Sequence, residues 1–168
     1  MREILRIVGL VVGPLVLLQF FPVDDDAPPD SGPLVIHDAE VASIVSRACA
    51  DCHTNYPDWP WYSQVAPVSW VLARHVREGR ADLNFSTWGD LALRRQYSKL
   101  GQVVDNVESG EMPMPSYTWG HPDARLTQEE RETLIQWAES LRVELRADSR
   151  GSRGGDDDGE ARPERGGG

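Results

Sequence analysis

Cysteine is scarce in this chain of 168 residues, limited to Cys49 and Cys52. That count excludes a disulfide framework stapling distant loops, so the pair must serve a local purpose. Lysine is scarcer, with Lys99 alone, and arginine carries nearly all the positive charge. No basic stripe forms, and the net charge of -10 is spread as -3 over residues 1–33, -5 over 34–147 and -2 over 148–168. A net negative surface slows association with phosphate backbones, so nucleic acid is not an expected partner. Paired carboxylates, a nucleophile triad, a phosphate-binding loop and a second metal cluster are all missing, and nothing suggests a catalytic residue. No segment alternates as a strand would, and no internal repeat is visible. Phenylalanine numbers three against six tryptophans, and Trp59, Trp61, Trp70 and Trp88 fall within thirty residues. Such a cluster suits a core wrapped around something large and flat, although ordinary aromatic packing also produces one.

What is present divides into four parts. Residues 1–23 are expected to be a membrane anchor or signal: 4–23 are apolar apart from Arg6 and Gln19, with Arg2 and Arg6 before and Asp24-Asp25-Asp26 beyond. That asymmetry places the N-terminus inside and the rest outside. QFFPVDDD lacks a small-residue cleavage pattern, which favours an uncleaved transmembrane helix over a removed signal peptide. Residues 24–33, DDDAPPDSGP, read as a linker, 34–147 as one folded domain, and 148–168 as a disordered tail of glycine and mixed charge.

Within 34–147 the pattern is all-α. A first helix begins after Asp38 as N-cap, carries Val41, Ile44, Val45 and Ala48 on one face, and ends at Cys49. A second follows Pro67, with Gly79 as its expected C-cap. A third is expected near 89–108, with Leu91, Leu93, Tyr97, Leu100, Val103, Val104 and Val107 as its apolar positions. Thr127-Gln128-Glu129-Glu130 has the form of a capping box opening a last helix, on which Leu134, Trp137, Ala138, Leu141 and Leu145 make one apolar face.

Cys49-Ala50-Asp51-Cys52-His53 is a C-x-x-C-H sequence. It reads as attachment of one covalent haem c: two thiols three positions apart reach the two vinyl groups, and the next residue offers an imidazole to iron. A thioredoxin-like redox pair would need a strand-helix context, and zinc would need a fourth ligand; neither is visible. For the sixth iron position the candidates are Met112, Met114, His75 and His121. Met112 is favoured, because Ser109-Gly110-Glu111-Met112-Pro113-Met114-Pro115 joins two helices and its prolines hold the loop extended. His37, ahead of the first helix, looks incidental.

These residues resemble the bacterial haem-binding domain family, a cytochrome c-like group. The resemblance runs from about Ala48 to Trp137. It is carried by CADCHTNYPDWPWYSQVAPVSW (49–70), HVREGRADLNFSTW (75–88) and SGEMPMPSYTWGHPDARLTQEE (109–130), with Thr54 where serine is expected. It implies a small cytochrome c-like helical domain around covalent haem c, His53 as proximal ligand and Met112 in a Met-Pro position typical of a distal ligand. It implies no particular activity. The leading expectation is a one-electron carrier, more a haem-binding protein than an enzyme. It would be membrane-anchored, facing the periplasm or cell exterior, and would serve a redox partner protein. The alternative is a five-coordinate haem gas sensor or peroxidase-like protein with Arg74, His75 or His121 on the distal side. A third class is a structural tether that haem merely stabilises.

Overall fold

The computed structural model describes residues 1–21, 23 and 26–154, without the side chains of Leu5 and of 151–154. Every regular element among them is helical. The chain divides into two compact units, Met1–Asp90 and Leu91–Gly168.

The first unit opens with α1, Arg2–Leu18. Its 17 residues rise about 26 Å, and none of the described helices is long and apolar enough to cross a membrane. The transmembrane helix expected over residues 4–23 is therefore not formed: regular winding stops at Leu18, where Gln19, Phe20 and Phe21 turn through i to i-3 bonds to Val16, Leu17 and Leu18. The linker expected at 24–33 also needs correction where it is described, residues 24 and 25 lying outside the described residues. From Pro28 onward it is built into the unit. The Pro28 carbonyl accepts from Asn55 Nδ2 at 2.7 Å, Ser31 N donates to Ser86 O at 3.0 Å, and Gly89 N donates to Gly32 O at 2.7 Å. Gly32 has φ +59°, and a Cβ there would stand 3.0 Å from Gly89 Cα, so two backbones touch where neither carries a side chain.

Helix α2, Ala39–Ala48, starts as the sequence indicates. The Asp38 carboxylate accepts from Glu40 N at 2.8 Å and Val41 N at 3.1 Å. Val41, Ile44, Val45 and Ala48 are buried along its inner face. One turn, α3 (Ala50–His53), follows Cys49 directly. A 3-10 turn at Trp61–Gln64 leads into α4, Val68–Asp82. Gly79 is not its C-cap, because the helix runs on to Asp82 with Leu83 N bonded to Gly79 O at 2.8 Å. A second 3-10 stretch, Phe85–Asp90, closes the unit and buries Phe85, Ser86 and Trp88.

The second unit pairs α5, Leu93–Ser109, with α7, Gln128–Gly154. Leu100, Val107, Leu134 and Ala138 are its buried apolar residues on those two helices. α5 starts at Leu93 and not near 89, since 85–90 is already wound as 3-10 helix, and it ends on Gly110 at φ +76°, the left-handed conformation that glycine adopts without strain. α7 opens with the expected reciprocal cap: Thr127 N donates to Glu130 Oε2 at 2.8 Å, and Glu130 N to Thr127 Oγ1 at 3.2 Å. Helical winding continues past 147 to Gly154, because Val143 to Ser149 contains neither glycine nor proline to stop it. The remainder of the expected tail, 155–168, lies outside the described residues. Between them stand α6, Pro115–Gly120, and a 3-10 turn at Pro122–Ala124.

Candidate functional site

The first unit is organised around the end of α2. Cys49 leaves that helix with its N–H bonded to Val45 O at 3.0 Å, then turns the chain. Its own carbonyl accepts from Cys52 N at 3.2 Å and from His53 N at 3.0 Å. One short turn therefore carries both thiols and the imidazole, and all three residues are half-buried.

The turn is held against α4 by close approach. A Cβ on Gly79 would lie 2.7 Å from Cys52 O and 3.1 Å from Cys52 Cβ, so only a glycine lets α3 come this near. The contact brings His53 to the last turn of α4, where Nδ1 lies 3.0 Å from Gly79 O and 2.9 Å from Leu83 O. A ring nitrogen facing two carbonyls must carry the proton, which leaves Nε2 as the nitrogen with a lone pair for a metal. Phe85 sets its ring at an angle to the imidazole, with centroids 6.3 Å apart and 62° between planes.

Behind the histidine lies a buried polar cluster. Arg80 Nε donates to Thr54 O at 2.8 Å, Asn84 Nδ2 to Asn55 Oδ1 at 2.8 Å, and Asn55 N to Ser86 Oγ at 3.1 Å. Ser86 N donates to Asn84 Oδ1 at 2.9 Å, and Asn55 Nδ2 also reaches Asp30 Oδ1 at 2.7 Å. The residues just after the histidine are thus fastened to α4, to 84–86 and to the chain ahead of α2. The sequence marked Gly79 only as an expected helix C-cap, and nothing in it singled out Asn55. A glycine inside an otherwise continuous helical pattern was the available signal for Gly79.

Burial pushes the Cys49 thiol up to about 12, with Cys52 adding to the rise and Arg47 opposing it. The Cys52 thiol is raised as well, first by burial and then by Asp51. Both stay protonated at neutral pH, the opposite of the depressed thiol that a thioredoxin-like pair needs. Among the described residues no three His, Cys, Asp or Glu side chains gather as they would around a metal ion, so a zinc site has no donor set there. The donors suit a flat ligand bonded at its edge by two thiols and at its centre by one imidazole.

The other sequence candidates belong to other elements. Met112 and Met114 belong to the second unit, both half-buried. Met112 N donates to Asn106 O at 3.0 Å, its bond to Pro113 is cis, and Met114 is the N-cap of α6. His121 bonds through Nδ1 to Tyr117 O at 3.1 Å and stacks on the Tyr117 ring at 4.2 Å. His75 is half-buried on α4, while its neighbour Arg74 is exposed and paired with Glu78 at 2.8 Å. His37 is exposed.

A small all-helical unit that presents two thiols and a backbone-oriented imidazole on one turn has the build of a haem-binding protein. The chain belongs to the Haem-binding domain family, whose pattern matches residues 13–140. No curated protein and no solved structure matches it.

Proposed function

We propose that this haem-binding protein is a c-type, one-electron carrier, with haem bonded through Cys49 and Cys52 and its iron held by His53 and Met112. The observation that carries this reading is the pair of carbonyls on His53 Nδ1, which fixes the tautomer and ring orientation with which Nε2 would hold haem iron. When bound, haem with His/Met ligation supplies a reversible one-electron couple of raised potential.

The chain's own contribution is positional. Cys49 and Cys52 supply two attachment points one helical turn apart, and Gly79 allows their turn to seat on α4. Gly79 O and Leu83 O make the imidazole a better electron donor by accepting its proton's hydrogen bond. Phe85 and the Asn55–Asn84–Ser86 cluster keep this side rigid, so little rearrangement accompanies a change of charge. No acid or base has to move a proton for this work. We further place the protein at a membrane, with the first unit on the periplasmic or outer face, delivering electrons to or from a partner protein.

The test is spectroscopic. Pyridine haemochrome and retention of colour after acid-acetone should report covalent haem in wild type, and loss of it in Cys49→Ala/Cys52→Ala. Wild type should be low-spin and unresponsive to carbon monoxide. Met112→Ala should take up carbon monoxide when reduced, and Met114→Ala should not. A wild-type ferrous form that binds carbon monoxide at once would replace the carrier with the five-coordinate gas or peroxide reading.

A further inference from the structure

Beyond the charged Arg2, Glu3 and Arg6, helix α1 is apolar from Ile7 to Leu17 and exposed around its axis, which distinguishes it from a helix that packs on protein. Leu10, Val11 and Val12 follow one another at about 100° steps around the axis, as do Leu15, Val16 and Leu17, and all six are at least 43% exposed. A protein groove would cover one stripe and leave the opposite face polar; a helix apolar all round calls for a surrounding apolar medium, and lipid supplies it.

The end of this helix is fastened to the first unit. Gln19 spans the Ala66 peptide, its Oε1 accepting from Ala66 N at 3.0 Å while its Nε2 donates to Ala66 O at 3.1 Å. Trp70 Nε1 donates to Phe21 O at 3.1 Å. Around these bonds the unit exposes Trp61 (80%), Val65, Val68 and Val71, beside Phe20 and Phe21. Isolated exposed apolar residues are ordinary, but this group is continuous with the base of an apolar helix. Tyr62, edge-on to Trp61 at 5.8 Å, completes the composition typical of a membrane interface.

We propose that residues 61–71 form a collar that seats directly on a lipid bilayer around the base of α1. The proposal rests on the reading that the chain is membrane-attached, and adds where and how its first unit meets the surface. The apolar run Ile7–Leu18 rises about 18 Å, too short to cross a hydrocarbon core of roughly 30 Å, so α1 inserts without crossing. Sinking the collar into the interfacial zone lets that run lie among the acyl chains. The Gln19 clamp then holds the first unit in one orientation to the membrane. The surface is recognised through apolar contact and not charge, because the chain carries -10 and anionic headgroups repel it.

The test uses the full haem-loaded chain carrying 5-fluorotryptophan, in its reduced state, with phosphatidylcholine bicelles that contain nitroxide-labelled phosphatidylcholine. Trp119, 84% exposed in the second unit, is the internal control for Trp61. Resonances are assigned with Trp61→Tyr and Trp119→Tyr, and flotation with phosphatidylcholine vesicles is followed by haem absorbance. The Trp61 fluorine signal should broaden at least threefold more than that of Trp119, while the chain floats with the vesicles. Flotation with both signals equally sharp would overturn the collar and leave the anchor standing. Failure to float would overturn both. A Trp61 signal that broadens only until Gln19→Leu is introduced, with flotation unchanged, would confirm that the clamp sets the orientation.

Discussion

Gly79→Ala is the sharpest single test of how the site is built. In an ordinary helix interior the change would stabilise by about 1 kcal/mol, since alanine has the higher helix propensity. Here the new methyl would stand 2.7 Å from Cys52 O and 3.3 Å from Cys52 C, distances that backbone atoms cannot absorb by swinging away. Overpacking against a rigid wall costs roughly 1–3 kcal/mol, and relief requires α3 to move off α4. Set against the propensity gain, the net expectation is a first unit up to about 2 kcal/mol less stable, with a thermal midpoint lowered by roughly 4–8 °C per kcal/mol. Circular dichroism and urea titration would measure it. The same displacement stretches the bonds from His53 Nδ1 to Gly79 O and Leu83 O, so the imidazole donates less to iron and the reduction potential should rise. A Gly79→Ala protein as stable as wild type, with an unchanged potential, would refute the close-approach argument.

Thr127→Ala removes the hydroxyl that accepts from Glu130 N and should destabilise the second unit by about 1 kcal/mol, read from the midpoint of a denaturant titration. The cysteines give a pH signature before haem is attached. Because burial raises the folded-state thiol pKa of Cys49 from 9.0 to about 12, the folded protein keeps a proton that the unfolded chain gives up. Apoprotein stability should therefore be level below pH 9 and fall as pH rises from 9 toward 12. Iodoacetamide should label the folded thiols more slowly at pH 9 than it labels them in urea; equal rates would show that the thiols are not shielded.

Much of this was legible from the chain, and the exceptions share a cause. Asp38, the α2 face and the Thr127 box were readable because capping and 3.6-residue periodicity are local. Haem binding, which the family match bears out, was readable because C-x-x-C-H compresses a proposed donor set into five positions. The misread elements depend on residues far apart in sequence. Gly79 looked like a helix stop because glycine usually is one, yet its reason is Cys52, 27 positions earlier. Residues 28–33 looked like a spacer because proline, glycine and serine cannot build an apolar core, but they are held by the Asn55 side chain and by backbone bonds to 86 and 89, which leave no mark in hydropathy. Apolar content over 4–23 indicated a span, while the turn at 19–21 is set by Gln19 reaching Ala66.

Asn55 shows most clearly what such long-range polar contacts contribute. It is buried, and its side chain joins three segments: Nδ2 donates to Pro28 O and Asp30 Oδ1, and Oδ1 accepts from Asn84 Nδ2. Replacing it with leucine keeps the branched outline but leaves the Asn84 amide without that acceptor and the Pro28 carbonyl without that donor. Asn84 is buried, so abandoning its amide costs about 1–3 kcal/mol, whereas Pro28 and Asp30 are exposed and can turn to water; Asn55→Leu should therefore lose about 1–3 kcal/mol where a surface change would lose almost nothing. Asn55→Asp separates hydrogen bonding from shape. It keeps the acceptor for Asn84, removes the donor to Pro28 and sets a second carboxylate beside Asp30. Its stability should therefore improve as pH falls through the carboxylate range, because protonating one acid removes the repulsion and restores a donor. Hydrogen exchange at the amides of 31, 34 and 89 would register the release of the first segment, since those N–H groups bond to 86, 85 and 32. Unchanged protection there in Asn55→Leu would mean that the backbone bonds alone hold the segment, and that the asparagine serves only its own side of the histidine.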